Sequence, residues 1–151
     1  MKSSAQLLLK IQNEFCGDVI KKNIDGISHE ESMVFPSGEA NCMNWIFGHL
    51  IFVRNALLEI LGEKPVWKNN DFTFYERGAK PLDHVGNFKE FDHLKTYFEE
   101  SQTRLLSAFE KQKQIPAEKM SDFAALSFHE IYHCGQLGYV RRLLGKEGAI
   151  K

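Results

Sequence analysis

Two histidines four residues apart, in the run His129-Glu130-Ile131-Tyr132-His133, carry the sharpest chemical signal in the chain. Residues four apart on a helix share a face one turn apart, so both imidazoles can reach a single ion. At 100° per residue the same stripe receives Leu126, Gln136, Val140, Leu143 and Leu144, which turns the pair toward an apolar interior. A third histidine, His49, falls among Trp45, Ile46, Phe52, Val53 and Ala56 on another helical segment and is also expected to look inward. Neither segment offers these histidines an inward Asp or Glu. Buried imidazoles need a partner at each nitrogen, and one divalent cation satisfies all three at once. The expectation is a three-histidine metal site, His49, His129 and His133, with open positions for water or substrate. Three neutral nitrogens, without thiolates or several carboxylates, suit Zn, Ni, Fe or another late divalent metal. Read alone, His49 fits a core histidine bonded to a backbone carbonyl or a tyrosine better than a metal ligand; the pair of His129 and His133 strengthens the metal reading.

The neighbours of the pair have narrower roles. Gln136, three residues after His133, is placed to hydrogen-bond a ligand imidazole or a bound water. Tyr132 and Tyr139 flank the stripe and are expected to pack, with acid catalysis by a phenol as the alternative. Cys134 projects to the far side with Ser127, Ile131 and Gly138 and is read as a small packing residue. His129-Glu130-xx-His133 is literally the zincin pattern, in which the Glu is a general base. The longer metzincin pattern fails, because its Gly and last His positions hold Gln136 and Tyr139. Only 18 residues follow His133, with Glu147 their sole acid, and no strand precedes the motif, so a protease is not expected. On the wheel Glu130 leans away from the His129 face, as a flank charge. His29 and His84 fall in expected loops and His93 on an outer face, all three solvated.

The elements that must position these residues are helices. All four prolines lie between four segments of helical periodicity. The first helix spans about 4–24, with Leu8, Ile11, Phe15 and Val19 on its core face and Glu14, Asp18 and Lys21 turned away. The second runs from an Asn41 N-cap to a Gly62 stop, and the third, about 87–114, buries Phe91, Leu94, Phe98, Leu105 and Phe109. The fourth opens at Ser121-Asp122 and stops at Gly145. The expected fold is therefore all-α, one domain over residues 1–151: a four-helix bundle with a long ordered loop, 63–86, over one end. Within that loop Trp67, Phe72, Phe74 and Tyr75 are read as a cap, one of them reaching the site. No internal repeat or low-complexity segment is present.

Composition narrows the function. With 19 basic and 20 acidic residues the 151-residue chain carries a net charge of −1, which gives no footing for nucleic acid or anionic lipid as a partner. Three widely spaced cysteines, Cys16, Cys42 and Cys134, fit free thiols in a reducing, cytoplasmic compartment. No segment holds the ~18 uncharged apolar residues of a membrane span, and the amino terminus reads as a helix start rather than a signal peptide.

The combination of Asn44-Trp45-Ile46-Phe47-Gly48-His49-Leu50, His129-xxx-His133-Cys134-Gly135-Gln136 and Arg141-Arg142-Leu143-Leu144-Gly145 resembles the DinB/YfiT-like superfamily of helical metalloenzymes over nearly the whole chain. The resemblance implies a four-helix bundle with a metal on His49, His129 and His133, and a thiol-dependent transferase or a hydrolase. Where the family often reads Arg-Gly-Gln after the last histidine, this chain has Cys134-Gly135-Gln136. The leading expectation is a metal-dependent enzyme on a small molecule, with a low-molecular-weight thiol as cosubstrate and hydrolysis as nearest rival. Its alternative is a non-catalytic metal- or ligand-binding bundle. A homodimer is expected, through the Phe47, Ile51 and Leu58 face of the second helix or the small-residue back of the fourth, Ser127, Cys134, Gly135 and Gly138.

Overall fold

Periodicity becomes four long helices in the computed structural model, which describes residues 4–37, 40–111 and 113–150. They are α1 (Ser4–Ile24), α3 (Met43–Ile60), α4 (Phe91–Glu110) and α5 (Met120–Leu143), with a one-turn α2 (His29–Ser32) after α1 and no strand among the described residues. The end of α3 is set by Gly62 at φ +70°, where its N–H reaches Glu59 C=O at 2.9 Å and the next N–H reaches Leu58 C=O at 2.8 Å. The α4 helix is shorter than 87–114. Phe88 and Glu90 are extended because the backbone of Lys89 is engaged elsewhere: its N–H donates to the Tyr75 hydroxyl and its C=O accepts from Asn44.

Pairing fixes the topology. Asn13 donates to Ser127 and Asn23 to the Cys134 carbonyl, so α1 and α5 run parallel. Phe47 packs on Phe91 and Arg54 reaches Ser101, so α3 and α4 are parallel too. Lys21 pairs with Glu99 across α1 and α4, and Arg54 with Glu130 across α3 and α5, each pair antiparallel. A parallel α3 and α4 require the chain to climb back the full helix length, about 27 Å, between them. Residues 61–90 therefore run along the side of α3 rather than over one end. They hang on α3 by Asn55, which bonds Val66 N–H and Trp67 C=O, and by Trp45, whose Nε1 donates to Phe74 C=O. The first of two 3₁₀ segments, Asn69–Tyr75, carries Phe72 and Tyr75 into the core, where Trp67 just before it joins them as a cap on this side; the second is Pro81–Asn87.

The core has two apolar ends and a polar waist. Ile20, Phe47, Leu50, Phe91, Phe98 and Leu137 fill one end; Leu9, Leu57, Leu58, Leu105, Phe109 and Phe123 fill the other. All five α4 residues expected inside are buried. The first helix is the exception. It turns Leu9, Cys16, Ile20 and Ile24 inward with Gln6, Asn13 and Asn23, leaving Leu8, Ile11 and Phe15 exposed and Val19 half-buried. Hydrogen bonds explain the choice: Gln6 closes onto Lys113 C=O and Ile115 N–H, Asn13 onto Ser127 and Asn23 onto Cys134, so buried amides replace an apolar stripe. No helix of the described residues is long and apolar enough to cross a membrane.

Candidate metal centre

The waist decides how α5 sits. Its buried face is Phe123, Ser127, Glu130, Cys134 and Leu137, at steps of four, three, four and three. Glu130 is thus a core residue, not a flank charge, and it is the inward carboxylate whose absence the sequence suggested. It is fully buried against an equally buried Arg54: Nε donates to Oε1, and Nη2 to Oε2 at 3.2 Å. Arg54 also donates to Ser101 Oγ and stands 4.2 Å from the Phe98 ring centroid. A buried guanidinium needs this partner, because one charge left alone in such a setting is strongly disfavoured. The sequence did carry the signal: a lone Arg within the otherwise apolar α3 requires a distant carboxylate. Glu130 being committed there, the zincin pattern does not supply a base to the histidines.

Rotating Glu130 inward sets His129 and His133 along the α5 edge that faces α3, where they meet His49. His49 and His133 are buried and His129 is half-buried. Their Nε2 atoms converge, 3.2 Å from His49 to His129 and 3.0 Å from His133 to His129. His49 is held from three sides. Its ring stacks on Trp45 at 4.8 Å, Tyr75 offers a backbone carbonyl 2.7 Å from Nδ1, and Gly48 leaves room for the Tyr75 ring, which a Cβ there would meet at 2.3 Å. Tyr75 is also tied down by donating its hydroxyl to Asn44. It is the loop aromatic that reaches the site, and it does so through its backbone.

A carbonyl only accepts, so His49 carries its proton on Nδ1 and presents a bare Nε2. The Gln136 Oε1 lies 2.6 Å from His133 Nδ1 and sets the same tautomer there. Gln136 Nε2 donates in turn to the Tyr132 hydroxyl at 3.3 Å. Two lone pairs therefore point at His129. A single His129 proton shared between them would leave His129 Nδ1, which is buried and without a hydrogen-bond partner, as a second unpaired acceptor. Nitrogens that share one ion at about 2.0–2.1 Å lie roughly 3 Å apart; the two separations made by His129 match this, and all three ligand atoms lie within 4.8 Å of one another, so the cluster is one that a divalent cation can occupy. Burial also keeps them neutral. It holds His49 and His129 below the usual imidazole range, with the Arg77 guanidinium acting the same way, and pushes His133 down to about 4.

The other candidates fall outside this cluster. Cys134 is buried against α1, and Ser127 and Gly138 meet Asn13 and Asn23 there. Tyr132 and Tyr139, expected to pack, are exposed, because the inward face of α5 is taken by Phe123, Ser127, Glu130, Cys134 and Leu137. His29 opens α2 instead of a loop and accepts from Phe91 N–H at 3.3 Å; His84 is half-buried in the second 3₁₀ segment and His93 is exposed. No family model matches the chain, and a search of curated proteins finds no match to it.

Proposed function

We propose that His49, His129 and His133 hold a divalent cation, with Zn, Ni and Fe as the candidates, and that the protein is a metal-dependent enzyme acting on a small molecule. The observation that carries this reading is the pair of fixed tautomers: Tyr75 and Gln136 aim the bare Nε2 atoms of His49 and His133 at a third nitrogen. When bound, such an ion supplies Lewis acidity toward an oxygen or sulfur of the substrate. The chain supplies the rest. Trp45 and Tyr75 lock the His49 ring, Gln136 orients His133, and half-buried His129 and exposed Tyr132 leave the site open to solvent on the α5 side. The exposed Tyr132 hydroxyl, which accepts from Gln136, is a candidate proton donor beside the cluster. The DinB/YfiT-like resemblance points to thiol-dependent transfer, with hydrolysis next.

The commitment of Glu130 to Arg54 favours a second reading, metal or ligand binding without catalysis, since no carboxylate joins the cluster. Kinetics separate the two. Metal-reconstituted protein is assayed with small electrophiles plus a low-molecular-weight thiol, and with a panel of hydrolase substrates. Saturable turnover that His49→Ala abolishes supports the enzyme; full metal occupancy without turnover on either panel assigns the binding role.

A further inference from the structure

Two thiols that the metal centre does not use meet between α1 and α5. Cys16 and Cys134 are both free, both buried and part of the same apolar core. Cys16 donates its S–H to Cys134 Sγ, and the Asn23 amide reaches the same sulfur at 4.0 Å and the Cys134 carbonyl at 3.3 Å. Small residues let the helices come this close: Ser127 on α5 meets Asn13, and Gly138 leaves only 3.4 Å between a Cβ and the Asn23 amide. The remaining cysteine, Cys42, is fully buried on another helix, at the N-cap of α3. One thiol of the pair has a way out. A cleft of about 210 Å³, walled by Val19 and Asn23 of α1, Gly135 and Gly138 of α5 and residues 148–150, runs to Cys134, and Cys16 takes no part in its lining. Gly135 keeps the cleft open, since nothing lies within 4 Å of where its Cβ would stand. At ~30 Å³ per water the cleft holds a handful of water-sized molecules, and it falls short of the ~300 Å³ at which pockets for larger ligands begin.

We propose that Cys16 and Cys134 form an oxidation site, a dithiol that hydrogen peroxide, entering by the cleft, converts to a disulfide joining α1 to α5. Cys134, on the cleft, reacts first. Its sulfur bonds to one peroxide oxygen as the O–O bond breaks, and the thiol proton leaves with the other oxygen as water, so Cys134 becomes a sulfenic acid. The Cys16 sulfur then bonds to the Cys134 sulfur as the S–O bond breaks, and the Cys16 proton leaves with that hydroxyl as a second water. The two sulfurs together give up two electrons and the peroxide takes them. A cysteine with no neighbouring thiol stays exposed to further oxidation, to the sulfinic acid; the Cys16 contact diverts it into a bond that a thiol reductant reopens. Packing alone requires neither a second thiol in contact with the first nor a cleft leading to one of them. Cys134 directly follows His133, so the bond would anchor the turn of α5 that carries this histidine to α1.

Peptide mapping of the full chain after treatment with dilute hydrogen peroxide, with free thiols alkylated under denaturing conditions, tests the proposal without reference to metal or activity. In the wild type Cys16 and Cys134 are expected to lose their alkylation together and to appear in one linked peptide that dithiothreitol separates, while Cys42 stays alkylated. In Cys16→Ser, Cys134 should instead be trapped by dimedone as the sulfenic acid, and in Cys134→Ser, Cys16 should remain a thiol. Closing so long a loop raises the melting temperature of the oxidised wild type by about 5–10 °C, reversibly. Oxidised glutathione in place of peroxide should leave both thiols free, because it is too large for the cleft. Several results overturn the proposal: a wild type whose thiols both survive peroxide, a Cys134 that goes to the sulfinic acid with Cys16 still free, a link through Cys42, or a Cys16–Cys134 link that fails to raise the melting temperature. A glutathionyl adduct on Cys134 overturns the assignment of a small oxidant.

Discussion

The Tyr75 backbone carbonyl lies 2.7 Å from His49 Nδ1, while the Tyr75 ring lies over the neighbouring Gly48 so closely that a Cβ would stand 2.3 Å from it. The crossover thus determines which nitrogen of His49 is free. Gly48→Ala forces that ring away and takes the carbonyl with it. The expected loss is about 1–3 kcal/mol of stability by urea denaturation, with metal affinity falling about 10–100-fold in a competition titration. Unchanged values for both would show that the contact does not orient His49.

Arg54 and Glu130 form the second test. Glu130→Ala leaves a buried guanidinium unpaired and should cost about 3–5 kcal/mol in urea melts, whereas the double variant Arg54→Met with Glu130→Leu recovers most of it. Because Glu130 faces away from the three Nε2 atoms, the double variant should still bind metal stoichiometrically. Loss of metal with the fold intact would place Glu130 in the centre after all.

Acidification should weaken the metal-free fold in a defined window. Unfolded imidazoles titrate near ~6.5, while burial holds His49 and His129 lower and His133 at about 4. Between these values the unfolded chain binds protons that the folded chain refuses. The stabilisation is complete above about pH 6.5 and is lost as pH falls toward about 4. The ion-paired carboxyls of Glu31, Glu63 and Asp92 are held below their ordinary range and act at lower pH. Urea midpoints measured at about pH 7.5 and about pH 5 should fall with acid in the wild type and fall less in His133→Gln. A midpoint that rises on acidification contradicts the burial argument.

The presence and order of the four long helices and the identity of the converging histidines were legible in the sequence, because proline punctuation and three- to four-residue apolar steps survive any rotation of a helix, although α4 ends short of its expected bounds. The rotations themselves were not. In α1 the core face carries Gln6, Asn13 and Asn23, which look solvated until their partners at Lys113, Ser127 and Cys134 are known. In α5 exposed Phe128, Ile131 and Tyr132 blur the stripe, so a wheel centred on the histidines pushed Glu130 outward. Its partner Arg54 lies 76 residues away, a separation that no local pattern spans. Tyr75 was one of four loop aromatics of which one, not specified, was expected to reach the site, and its contribution is a backbone carbonyl, to which side-chain identity gives no clue.

The central claim is that His49, His129 and His133 bind one ion together, and elemental analysis of purified, tag-free protein beside His49→Ala and His133→Ala tests it most directly. The account predicts close to one divalent metal per chain in the wild type and loss of that metal in both variants, with the helical spectrum retained. A wild type that stays empty after reconstitution with zinc, nickel, iron and manganese, or variants that keep the metal, would contradict it and leave the three histidines as structural residues.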